Sequence, residues 1–156
     1  MIWVIVGAGV LLIIGSIMML KPSARDTRLA ALRFDAIKQG LQVRQFVWQP
    51  DPKKTGIQEP LQATSYSLMR PGQPQPGELK FSLVARKGWD TEGLPDGFSW
   101  HKPGTAAQAA QVLALLPSLQ DDLLLLEVRE HQVLLMAKEQ QGASAAAYRA
   151  FLQALL

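Results

Sequence analysis

The side chains that could do acid–base or metal chemistry are few and scattered along the chain. His101 and His131 are the two histidines, and neither has a second ligand at i+3 or i+4, the spacing that puts two donors on one helical face. There is no cysteine. That excludes a disulfide, a zinc–cysteine site, an iron–sulfur cluster and a cysteine nucleophile. No serine lies in a G-x-S-x-G elbow, and no G-x-x-x-x-G-K-[ST] loop is present. Asp121-Asp122 is an adjacent acid pair, but neighbours on a strand point to opposite faces, so the two read as a polar turn ahead of a hairpin. Glu127 and Glu130 read as charges that solvate a sheet face. An enzymatic reading would need a pocket that gathers His101, Asp121 or Glu127. The spacing gives no catalytic residue, no metal set and no cofactor fingerprint.

A different chemistry is offered by aromatic residues. Trp89, Phe98 and Trp100 bracket the glycine-rich segment 88–104. Aromatic side chains on a loop either form a contact surface for a partner or fold back as a lid on the core. Their size favours the core, and if the segment makes a contact, these three are the residues expected to carry it. The proline-rich segment 71–77, with Pro71-x-x-Pro74, reads as a connector between strands.

Charge is concentrated in one short stretch. Residues 21–44 carry six basic and two acidic groups, whereas 45–156 carry ten basic and eleven acidic ones. The high isoelectric point therefore belongs to a segment, and the remainder is close to neutral. A nucleic-acid reader needs a basic face on the folded domain itself, so no nucleic-acid partner is expected.

Ahead of that basic stretch, residues 1–20 hold no charged side chain. Twenty helical residues extend about 30 Å, the thickness of a bilayer's hydrocarbon core. The segment is expected to be a single transmembrane helix with Trp3 at one interface. It ends in Met18, Met19, Leu20 and Lys21 without an Ala-x-Ala pattern, which argues against a cleaved signal peptide. Lys21, Arg25, Arg28 and Arg33 follow the span and no lysine or arginine precedes it. The positive-inside rule then predicts a bacterial inner-membrane protein with a periplasmic amino terminus and a cytoplasmic domain. The four basic residues set topology and lie within reach of anionic headgroups.

The elements that must position these residues follow from periodicity. Pro22 breaks the span, and Ser23 with Asp26 resembles a capping box for a helix over about 24–39. Its apolar stripe is Leu29, Leu32, Ala36 and Ile37, and Gly40 is the stop. Residues 41–48 alternate as a strand, 51–60 read as a polar loop, and 61–70 and 79–87 read as an antiparallel pair joined by the proline-rich segment. A short strand is expected near 98–100, with His101 in a turn-rich loop. Thr105 and Gln108 form a capping box for a helix that ends at Pro117. Residues 122–129 and 132–138 read as a hairpin turning at Glu130-His131. Tyr148, Phe151, Leu152 and Leu155 mark a closing amphipathic helix behind Gly142 and Ser144. The expected fold is α+β: a transmembrane helix (1–20), a basic juxtamembrane helix (21–40), and a cytoplasmic domain (41–156) with a small antiparallel sheet packed by two or three helices.

The layout Met19-Leu-Lys-Pro-Ser-x-Arg, followed by a basic helix with Leu29, Leu32 and Ile37 and then Gly40, resembles the start of YajC-type accessory subunits of the bacterial protein translocase. That resemblance covers residues 1–45. It implies a periplasmic amino terminus, one span and a small cytoplasmic domain. After residue 45 the chain departs from the glycine- and valine-rich barrel pattern of that family. The closing hairpin and helix are similar to those of uncharacterised single-pass proteins of gammaproteobacteria, a likeness that implies no activity. The expected function is a membrane-tethered interaction domain that works beside a membrane-protein partner. The alternative is a membrane-bound enzyme or a ligand-binding regulatory domain.

Overall fold

The computed structural model describes residues 1–156. It divides into two compact units, Met1–Ala31 and Leu32–Leu156.

The first unit holds helix α1 (Ile2–Met19) and the beginning of helix α2 (Ala24–Lys38). α1 is long and apolar enough to cross a membrane, and none of it is buried. Its one hydroxyl, that of Ser16, donates to the Leu12 carbonyl at 2.8 Å, so the helix satisfies its own polar groups. The chain leaves helical geometry around Lys21–Ser23. α2 then starts on a reciprocal cap: the Asp26 N–H donates to the Ser23 hydroxyl oxygen at 3.1 Å, and the Ser23 N–H donates back to the Asp26 carboxylate at 3.3 Å.

In the second unit the end of α2 buries Leu32 and Ala36, while Phe34 and Ile37 stay exposed. The apolar stripe is therefore narrower than its sequence suggests. Ile37 lies outside it, because Leu32 and Ala36, one turn apart, already fill the contact.

The sheet has six antiparallel strands: β1 (Gln42–Trp48), β2 (Leu61–Met69), β3 (Leu79–Val84), β4 (Ser99–Lys102), β5 (Leu123–Arg129) and β6 (Gln132–Ala137). Their spatial order is β1-β2-β6-β5-β3-β4. Each sequential pair is a hairpin, and the last hairpin lies between the first two. This corrects one expectation: β2 and β3 are not paired. β2 pairs with β1 and β6, and β3 pairs with β4 and β5. The cause is the density of apolar residues in β5 and β6. Leu123, Leu125, Leu126, Val128, Val133, Leu135 and Met136 are all buried, and strands apolar on both faces need cover on both sides and neighbours at both edges.

The proline-rich connection therefore crosses the tip of the β5–β6 hairpin. It is tied there by Arg70 N–H to His131 O (2.8 Å), His131 N–H to Pro76 O (2.9 Å) and Glu130 N–H to Glu78 O (2.9 Å). Gly77 permits that crossing: its φ is +75°, and a Cβ there would stand 2.7 Å from the Glu130 Cβ.

Three further helices complete the second unit. The segment expected as loop 51–60 contains a single turn, α3 (Pro52–Thr55), with Asp51 as its cap and proline at its first position. α4 (Ala106–Leu115) has the expected Thr105/Gln108 capping box and runs into a 3-10 turn over Leu116–Leu119. α5 (Ala145–Leu155) starts on a Ser144 cap and buries Tyr148, Phe151 and Leu152. α4, its 3-10 extension, α5 and the end of α2 build the main core on one sheet face, around Tyr66, Leu83, Leu126, Leu135 and Phe151. Trp48, Ile57, Leu61, Val84, Leu125 and Met136 form a smaller cluster on the other face. The sheet is curled: the ring of Trp48 in one edge strand meets that of His101 in the other at 5.1 Å, edge to face.

Candidate functional site

The segment between β3 and α4 is shaped by its aromatic residues. Trp100 is buried, 4% exposed, and packs edge to face against Phe81 with ring centroids 5.9 Å apart. Its indole N–H donates to the Glu92 carbonyl at 2.9 Å, and its backbone N–H to the Asp90 carbonyl at 2.8 Å. Those two bonds fold the 90–98 loop back alongside α4. Phe98 is half-buried against the main core. Trp89 is 71% exposed, and its indole lies across Gly56, where a Cβ would come within 2.4 Å of the ring nitrogen. The three aromatics expected to act together are thus separated. Trp100 is core and positions the loop, Phe98 helps to floor a cleft, and Trp89 stands apart.

Two clefts flank the outer side of α4 and share Leu113. One, of about 530 Å³, lies between the 95–98 loop, Leu113, Leu116 and the start of β5. The other, of about 600 Å³, runs along Ala106, Ala109 and Ala110 beneath Gly93 and Trp100. The small alanines of α4 leave the second cleft open, and Leu113, 39% exposed, forms the ridge between the two. Asp90, Glu92, Asp96 and Asp121 stand along the pair, and no lysine, arginine or histidine lines either. The result is two neighbouring clefts whose charged lining is acidic alone: a largely apolar one bordered by Asp96 and Asp121, and a more polar one bordered by Asp90 and Glu92.

The remaining titratable groups do not converge on a reaction centre. No three side chains among His, Asp and Glu come together as a metal ion requires. His101 is on strand β4 rather than in a loop, against Trp48. His131 is in the β5–β6 turn, 3.8 Å from the Glu130 carboxylate. Asp121 is exposed at the groove, whereas Asp122 is buried on the far side of the same turn. Asp122 accepts a hydrogen bond from the Tyr148 hydroxyl and, at 2.9 Å, one from the Gln140 N–H. It is a structural acceptor rather than an open turn residue. Glu127 is likewise buried rather than solvated, with Arg129 at 3.4 Å.

The most strongly coupled charges belong to a network that the sequence does not reveal. Glu139, 8% exposed, accepts from Arg33 Nε at 2.9 Å and Nη2 at 2.7 Å, and from the buried Tyr66 hydroxyl at 2.5 Å. Thr64 adds a longer bond at 3.4 Å and is itself held by Gln45 at 2.9 Å. Burial alone would push the Glu139 carboxyl up, but the hydrogen bonds from Arg33 and Tyr66 and the guanidinium charge outweigh it and hold the group below its usual value. Burial, with the bond to Glu139, pushes the Tyr66 phenol far above its ordinary range. Burial and Asp122 do the same to Tyr148. Arg33, expected at the membrane interface, forms a fork-to-carboxylate pair with Glu139 that fastens the end of α2 to the domain. Trp3, Lys21, Arg25 and Arg28 lie in the first unit, at and after the apolar helix.

No family model, no curated protein and no solved structure matches this chain.

Proposed function

We propose that this chain is a membrane-tethered interaction domain, an accessory subunit that binds a membrane-protein partner through the groove along α4. In this reading α1 spans a bacterial inner membrane with its amino terminus in the periplasm. The domain then stands in the cytoplasm, and Lys21, Arg25 and Arg28 lie at the headgroups. The observation that carries the proposal is the groove beside Leu113: a largely apolar cleft bordered by Asp96 and Asp121, continued past Leu113 by a second cleft with Asp90 and Glu92, on a chain with a membrane-length apolar helix. Tethering raises the local concentration of a membrane partner, so a groove of modest affinity suffices. Helix-in-groove recognition supplies the mode, with apolar anchors on the floor and charge at the border.

The test is a photoreactive residue in place of Leu113 in the full-length protein in its membrane, with one at the exposed Lys53 as control. Leu113 is expected to give discrete adducts and Lys53 only background. Equal, diffuse labelling at both positions would remove the groove from the account.

A further inference from the structure

The second unit leaves five large apolar side chains exposed: Phe34, Ile37, Val47, Trp89 and Leu113. Leu113 is the ridge of the acidic groove. Phe34 and Ile37, 58% and 57% exposed, are three residues apart on α2 and so share one helical face. Lys38 lies over that patch, its ammonium 4.6 Å from the centre of the Phe34 ring. Asp35 is the nearest acid along the helix, and it sits about 100° round from Phe34, outside the arc that holds Phe34, Ile37 and Lys38. One chain therefore carries two unpartnered surfaces of opposite character. The first is the largely apolar cleft beside Leu113 and Leu116, whose charged lining is Asp96 and Asp121 alone. The second is an apolar helical patch that carries a cation.

We infer that the groove of one copy receives the Phe34–Ile37–Lys38 face of α2 from a second copy of this chain. The inference rests on the interaction-domain reading and names the partner. Three features point to this occupant. The groove calls for an apolar, positively charged helix. The exposed face of α2 has that composition, and its opposite face, Leu32 and Ala36, is already buried, so it presents a fixed surface. Copies anchored in one bilayer by α1 would also hold both surfaces on the same side of the membrane. Phe34 and Ile37 fill the floor beside Leu113, Leu116 and Phe98, and Lys38 lies against Asp96 and Asp121. Each copy offers both surfaces, so two such contacts can close as a two-fold pair.

The test uses the full-length chain, carrying two different tags, co-reconstituted in lipid vesicles, with energy transfer between tagged copies as the readout. Asp96→Lys with Asp121→Lys alters only the groove, and Phe34→Ala with Ile37→Ala alters only the patch. Each double variant is expected to weaken association at least about tenfold, since two border charges or two buried anchors each contribute on the order of that factor. A Lys38→Glu copy mixed with the Asp96→Lys/Asp121→Lys copy is expected to recover part of the loss. Association that survives both double variants would place self-contact elsewhere, in α1 for example, and overturn the inference. A monomeric chain whose Leu113 photoprobe still marks another protein also overturns it, while leaving the interaction-domain reading intact. A monomeric chain without groove adducts ends both.

Discussion

Replacing Glu139 by alanine should cost the domain about 3 kcal/mol, and the reason lies in what the substitution strands. The carboxylate accepts two bonds from Arg33 and one from the fully buried Tyr66 hydroxyl. Without it that hydroxyl has no acceptor, a loss of about 1–3 kcal/mol. Arg33 loses its counter-charge. Its side chain is 35% exposed, so water screens it, and its share falls well below the roughly 3–5 kcal/mol of a fully buried broken pair. Alanine brings no relief at the backbone, because φ at 139 is +57° and a Cβ remains. Arg33→Met takes the two guanidinium bonds from the buried carboxylate and leaves it the Tyr66 and Thr64 hydroxyls among its donors. The double variant should be milder than the sum of the two, with a coupling of about 1–2 kcal/mol. The assay is urea unfolding of the full-length protein in detergent micelles, followed by tryptophan fluorescence, since Trp48 and Trp100 are both buried. In a thermal scan the Glu139→Ala loss corresponds to about 10 °C for a unit of this size. A loss under about 1 kcal/mol, or additive effects of Glu139→Ala and Arg33→Met, would show that the network is not what fastens α2 to the sheet.

The same carboxylate gives the domain an acid-sensitive margin. Glu139 is held below the ordinary value of 4.5, so its stabilisation is complete above that pH and drains away as pH falls through the lowered folded-state value. Melting temperatures from neutral pH down through that window should fall more steeply for the natural chain than for Glu139→Gln, and parallel curves would contradict the assignment. The tryptophans of the 88–104 segment should separate sharply: Trp100→Ala should destabilise by about 3–5 kcal/mol and release the 90–98 loop, whereas Trp89→Ala should stay within about 0.5 kcal/mol. Chemical denaturation with hydrogen exchange at the backbone amide of residue 100, which donates to the Asp90 carbonyl, checks both, and similar losses would mean that burial does not rank the two.

What was legible in the sequence is what depends on neighbours along the chain. The membrane-length helix follows from residues 2–19 alone, and the caps at Ser23, Thr105 and Ser144 follow from side chains three positions from their partners. The β5–β6 hairpin follows from two apolar runs around Glu130-His131. Illegible were the facts set by distant partners. Nothing beside Arg33 in the sequence announces its partner Glu139, 106 residues away. Asp122 looks like a turn residue until Tyr148 reaches it. Trp89 and Trp100 have the same chemistry in the same loop, and only the packing against Gly56 or Phe81 tells them apart. Alternation marked 61–70 and 79–87 as strands but carried no information on which strand lies beside which.

That last point also explains how the groove comes to exist. Because the final hairpin inserts between the first two, β3 reaches β2 only through β5 and β6. Leu123, at the start of β5, lines the more apolar of the two clefts, and Asp121 just before it supplies part of the acidic border. The opposite wall is the 90–98 loop, pinned by Trp100 on β4. Each wall therefore hangs from a strand whose place depends on the insertion of β5–β6. α4, whose Leu113 stands between the two clefts, is itself carried between β4 and β5. The groove is assembled by long-range pairing rather than by any local motif. This is why no run of residues in the sequence announces it, and why the four acids along it are scattered between positions 90 and 121.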